Sequence, residues 1–175
     1  MSFSLIEQAK IVKVLSPVDR TSTALPAVWV NMKNCERAYF IMETGVMTSC
    51  SAAAVTLYVA NNASGTKNKA ITSAGAAATL TMDNVWKRTI STDTLVKTTV
   101  TASTFNLVGT DDGKTFVIEV PANKMGTFIA SSVTYDATHV RLAVATPGAH
   151  ACLSSVLCIQ TGLRYAEDVP PTAIT

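Results

Sequence analysis

Apolar and polar positions alternate with a period of two along much of this chain, which is the pattern of strands that lay one face on a core. In "RAYFIME", Ala38, Phe40 and Met42 fall on one face and Tyr39 and Ile41 on the other, so both faces are expected to be covered. "AVTLYVA" sets Val55, Leu57 and Val59 against Thr56 and Tyr58, and "KTFVIEV" sets Phe116, Ile118 and Val120 against Val117 and Glu119. "THVRLAV" is the clearest case, with Val140, Leu142 and Val144 inward and His139 and Arg141 outward. "ACLSSVLCIQ" places Leu153, Leu157 and Ile159 on one face and Cys152, Val156 and Cys158 on the other. Weaker strand patterns run from Val12 to Leu15, Val28 to Met32, Thr79 to Met82, Leu95 to Thr101 and Thr104 to Val108.

Turn chemistry separates these runs. Asp112-Gly113 in "GTDDGK" stands between two apolar runs and predicts a hairpin with a left-handed backbone at its turn. Turn geometry also accounts for this acidic pair, since no calcium-binding loop follows it. "NNASGTKNK" is expected to be a flexible loop and "ATPGAH" a Pro-Gly turn. Ser4 and Glu7 fit a capping box for one short helical turn. About ten short strands with little helix predict an all-β fold, a single β-sandwich or jelly-roll-like domain. Residues 1–16 are expected to form an N-terminal arm or edge strand, 17–165 the β-sandwich domain, and 166–175 an extended C-terminal arm held open by Pro170-Pro171. "SAGAAATL", residues 73–80, reads as an ordered loop of small side chains lying on a neighbour.

Composition narrows the function. The chain has 175 residues, 48% of them hydrophobic and only 15% charged, against about 25% charged in an ordinary globular domain. A surface so short of charge suits a protein packed against neighbours, and a homo-oligomer is expected. The net charge is +2, with both signs interspersed. Its densest basic clusters, Lys67-Asn68-Lys69 and Lys87-Arg88, lack interleaved aromatic residues and read as solvated loop lysines, so no nucleic-acid partner is expected. "MSFSLIEQAK" has neither a basic start nor an apolar core, which argues against an export signal and for synthesis in the cytoplasm. No run approaches the ~18 apolar residues of a membrane span.

Candidate chemistry is sparse. Cys35, Cys50, Cys152 and Cys158 include no C-x-x-C pair. On one strand, six residues at ~3.3 Å each put Cys152 and Cys158 roughly 20 Å apart, whereas a disulfide needs Cα atoms within about 7 Å. All four are expected to be buried, reduced thiols. His139 and His150 have no metal-ligand spacing to them and read as surface histidines, so no metal or cofactor is expected. The nucleophile elbow, H-E-x-x-H, the phosphate-binding glycine loop and the dinucleotide fingerprint are all absent, and no catalytic residue is assigned. The adjacent acids Asp111-Asp112 and Glu167-Asp168 lack the aromatic surroundings of a glycosidase cleft.

Four segments carry a resemblance: "SFSLIEQAKIVKVLSPVD", "VWVNMKNCERAYFIMETG", "AAVTLYVANNASG" and "LCIQTGLRYAEDVPPTAI". Together they span most of the chain, which resembles the head decoration (cement) proteins of tailed double-stranded DNA bacteriophages. The resemblance implies a non-enzymatic virion protein on the capsid exterior, bound to the major capsid protein, often as a homotrimer at three-fold positions. The contact residues expected for such a role are apolar and lie in the arms: Phe3, Leu5 and Ile6 at one end, and Val169, Pro170, Pro171 and Ile174 at the other. A tail-tube or tail-tip β domain is the alternative, because those proteins also lack reactive groups. A carbohydrate-binding sandwich is a third, with Trp29, Trp86 and Tyr58 as its stacking platform.

Overall fold

A computed structural model describes residues 9–19, 28–47, 50, 53–71, 82, 85–89, 91–92, 94–98, 100, 104–145 and 152–163. Residues 1–8 of the expected N-terminal arm and all of the C-terminal arm lie outside them, as do the Ser4 capping box, the Ala-rich segment, the Pro-Gly turn and most of the Thr79 to Met82 strand; residues 9–16 fall in an edge strand.

The described residues are almost entirely strand and short turns, with no α-helix. The strands are β1 (Ala9–Asp19), β2 (Val30–Asn31), β3 (Arg37–Thr44), β4 (Ala53–Ala60), β5 (Asn68–Ala70), β6 (Val85–Arg88) and β7 (Val96–Thr98). They continue with β8 (Thr104–Leu107), β9 (Thr115–Pro121), β10 (Thr127–Ala130), β11 (Val133–Asp136), β12 (His139–Val144) and β13 (Leu153–Thr161). One antiparallel sheet has the order β1-β13-β3-β9-β6-β7. A second has the order β2-β12-β4-β5, and β8 pairs with the other half of the free edge of β4. β10 and β11 form a separate hairpin. No helix among the described residues is long and apolar enough to cross a membrane.

The alternation sets which faces meet. Ala38, Phe40 and Met42 of β3, Phe116, Ile118 and Val120 of β9, and Val156 and Cys158 of β13 share the inner face of the six-stranded sheet. Val55, Leu57 and Val59 of β4 and Val140, Leu142 and Val144 of β12 share that of the other. All of them belong to one buried cluster, so the fold is a sandwich-like all-β domain around a single core. A fully buried side chain of this size contributes about 1.5–3 kcal/mol on leaving water.

Three expectations need correction. Asp112-Gly113 does not make a hairpin, because β8 belongs to the five-stranded sheet and β9 to the six-stranded one. Gly113 does take the left-handed conformation expected there, at φ +62°, but the turn hands the chain from one sheet to the other. Thr44 pins this crossover, its hydroxyl donating to Asp111 O and accepting from Lys114 N–H at 3.0 Å. His139 does point away from the core, yet it is buried rather than on the surface. Its Nδ1 lies 2.8 Å from the Thr138 hydroxyl, and burial, helped by nearby Lys33, pushes its pKa down. The "NNASGTKNK" stretch, expected to be flexible, is an organised turn. Asn62 Oδ1 accepts from Ser64 and Thr66, and β5 closes the segment.

The β10–β11 hairpin carries no Asn-Gly signal. Its turn residues Ser131 and Ser132 both have positive φ, 52° and 62°, as a type I′ turn requires. Non-glycine side chains are strained there by about 1–2 kcal/mol per residue. Replacing Ser131-Ser132 by Asn-Gly is therefore expected to raise unfolding stability by roughly 1 kcal/mol in urea titration. A loss of stability would show that the turn type is not what holds this hairpin.

Candidate functional site

The strongest surface feature is the outer face of the six-stranded sheet. Residues directly opposite one another on neighbouring strands share a face, so the registers place Lys13, Leu157, Ile41, Val117, Trp86 and Lys97 in one row across six strands. A parallel row runs Ile11, Ile159, Tyr39 and Glu119. The middle of this face is apolar and lysines close the first row at both ends. Antiparallel sheets with a wet face normally put polar side chains there. Here Ile11 stays 53% exposed, Leu157 43% and Leu153 40%, with Tyr39, Ile41, Val117, Trp86 and Ile159 half-buried between them.

Polar chemistry near this sheet is structural. Glu119, expected to face outward, is buried against Arg37 at 2.7 Å, so the tip of the second row is a neutralised pair. On the inner side, Asp111 is buried and binds Lys87, Lys114 and the Val108 N–H. Burial alone would raise the Asp111 pKa; the Lys87 ammonium, the Val108 N–H and Lys114 outweigh it and hold the carboxyl below its ordinary value. A carboxyl depressed in the folded state stabilises the fold above its unfolded pKa of about 3.9, and that contribution is lost as pH falls through the lower folded value. Asp111→Asn is thus expected to flatten the fall of unfolding free energy below about pH 4 in urea titrations. An unchanged acid slope would show that Asp111 is not coupled to folding.

Neither of two clefts combines reactive groups. One, of about 440 Å³, is lined by Asn34, Glu36, Arg37 and Asn123, with Cys35 at its margin. Burial pushes the Cys35 thiol up, and such a thiol is a poor nucleophile. The other, of about 390 Å³, lies on the outer face of the five-stranded sheet beside Tyr58 and Arg141. Among the described residues no three His, Cys, Asp or Glu side chains converge as metal ligands.

The sequence-predicted site residues separate in the structure. The arm residues Phe3, Leu5, Ile6, Val169, Pro170, Pro171 and Ile174 lie outside the described residues. Trp29, Tyr58 and Trp86 form no common platform: Trp86 lies on the six-stranded sheet, while Trp29 and Tyr58 flank Arg141 on the other. Trp29 is only 3% exposed, covered by the loop at Gly65, where an added Cβ would clash with its indole ring. The apolar outer face was missed as a site, although Tyr39, Ile41, Leu157 and Ile159 are visible in the alternation as a second apolar set. A scan against protein-family models found no match, and searches of curated proteins and of solved structures found none either.

All four cysteines are buried, and none is in a disulfide. Alkylation of the native protein is expected to add no label, and alkylation after denaturation without reductant four. Two labels after denaturation would show a disulfide.

Proposed function

We propose that this chain is a non-enzymatic structural protein of a phage virion, a head decoration (cement) protein that binds the assembled shell of major capsid protein as a homo-oligomer, most simply a trimer. One observation supports the reading above the others: the outer face of the six-stranded sheet is apolar across five adjacent strands and flanked by Lys13 and Lys97. Such a face is costly in water and favourable against a partner, at about 25 cal/mol per Å² of apolar surface. Four strands of seven or eight paired residues and the four of β6, at about 4.8 Å between strands and about 3.4 Å per residue, span about 570 Å² of flat sheet. That is about 70% of the roughly 800 Å² per partner of a specific interface. The resemblance of the four sequence segments supplies the identity of the partner, and the arms would add contacts at the margins.

The mechanism is mass action. A protein that binds only the mature shell stabilises it by RT ln(1 + [L]/Kd) at each site, summed over many copies. Nothing in that process needs a nucleophile, a cofactor or a metal.

Leu157→Lys and Ile11→Asp place charge at the two most exposed apolar positions of the face. Each is expected to leave the melting temperature within a few degrees of the parent while weakening co-sedimentation with undecorated capsids at least tenfold. Val133→Lys, at an exposed position on the separate hairpin, is expected to bind as the parent does. Full affinity in Leu157→Lys would exclude this face as the docking surface. If the parent binds isolated tails and no capsids, the protein is a tail component instead.

A further inference from the structure

The Arg141 side chain is placed in an unusual way. β12 lies between β2 and β4. Val30 pairs with Val140, and the strands run antiparallel, so Trp29 falls beside Arg141 on one side while Tyr58 is its direct partner on the other. The guanidinium carbon lies 4.7 Å from each ring centroid. Aromatic rings attract the flat faces of a guanidinium, whereas its N–H donors point outward in its plane. Contact with two rings from opposite sides therefore holds the group and leaves its edges to hydrogen-bond.

Those edges have no partner among the described residues. Arg141 Nε is enclosed without an acceptor, and no carboxylate among the described residues pairs with the guanidinium. Burial pushes its pKa down, as expected of a cation without a counter-ion. The neighbouring cleft has a floor of small side chains, Ala54, Thr56 and Ala143. Thr104 donates its hydroxyl proton to Val55 O at 2.8 Å, so the Thr56 hydroxyl must donate to Thr104 and has no proton left for a ligand. Among the described residues lining the cleft, Arg141 is thus the charged donor. One guanidinium edge matches the two coplanar oxygens and single charge of a carboxylate. A phosphate dianion carries three strong acceptor oxygens, more than one guanidinium edge can satisfy.

We propose that this cleft is a carboxylate-binding site, in which Arg141, clasped between Trp29 and Tyr58, holds the ligand edge-on through its Nη groups. It lies on the opposite sheet from the proposed docking face and does not depend on that reading. The ligand class is a carboxylate, supplied by a small acid or by an acidic side chain of a peptide.

Trp29 is a built-in reporter, and Trp86→Phe removes the other tryptophan. In that background, without capsids, sodium acetate is expected to change Trp29 emission saturably, and sodium chloride at matched ionic strength is not. Arg141→Lys keeps the charge but loses the fork, and should weaken acetate at least tenfold; Arg141→Met should abolish the response. A blocked Ala-Glu-Ala peptide that binds tighter than acetate would assign the ligand to a peptide side chain, and the reverse order to a small acid. Should Arg141→Met fail to fold, the Arg141 Nε–H resonance of the parent protein gives a second reading, expected to shift with acetate. No saturation with either probe, no shift of that resonance, or an undiminished response in a folded Arg141→Met protein would overturn the proposal. Tighter binding of phosphate than of acetate would overturn the choice of carboxylate.

Discussion

Side chains on a strand alternate between two faces, so a strand apolar at every position must be covered twice. The middle of β3 meets this condition: Ala38, Phe40 and Met42 enter the core, and Tyr39 and Ile41 emerge on the other side of the sheet. β13 and β9 flank it and repeat the pattern with Leu157, Ile159 and Val117. The chain supplies a second sheet for the inner face. On the outer face Ile11 and Leu157 remain open. The sandwich and its unfilled side are consequences of the same alternation, and the functional proposal rests on that asymmetry.

The polar groups follow a different logic. Asp111 is buried because it ties the β8–β9 crossover to β6 through Lys87 and to the strand that follows through Lys114. Glu119 is buried because Arg37, opposite its neighbour on the outer face, reaches it. Both pairs are internally satisfied and need no ligand. Arg141 differs from them, since its neighbours offer aromatic faces rather than oxygen.

The long period-2 runs were legible, and β3, β4, β9, β12 and β13 fall where their alternation places them. The chain also changes sheets at most of its connections, which local pattern cannot reveal. Asp112-Gly113 carries a hairpin turn's chemistry, yet its flanking strands pair elsewhere. The true hairpin at Ser131-Ser132 lacks that chemistry, and its strands of four residues are too short for their alternation to stand out. Burial of His139 and Glu119 was illegible because it depends on partners distant in sequence or on the fold around them, not on strand parity. As for the candidate site, its apolar residues were legible one by one. That they line up across β1, β13, β3, β9 and β6 required the register.

Hydroxyl-radical footprinting with mass spectrometry tests most directly whether the outer face of the six-stranded sheet is the surface this protein uses. The free protein should be oxidised at Ile11, Leu157 and Trp86, and the capsid-bound protein should be protected at these positions while Val133 stays reactive. Equal oxidation of Ile11, Leu157 and Trp86 in the free and bound states would contradict the account.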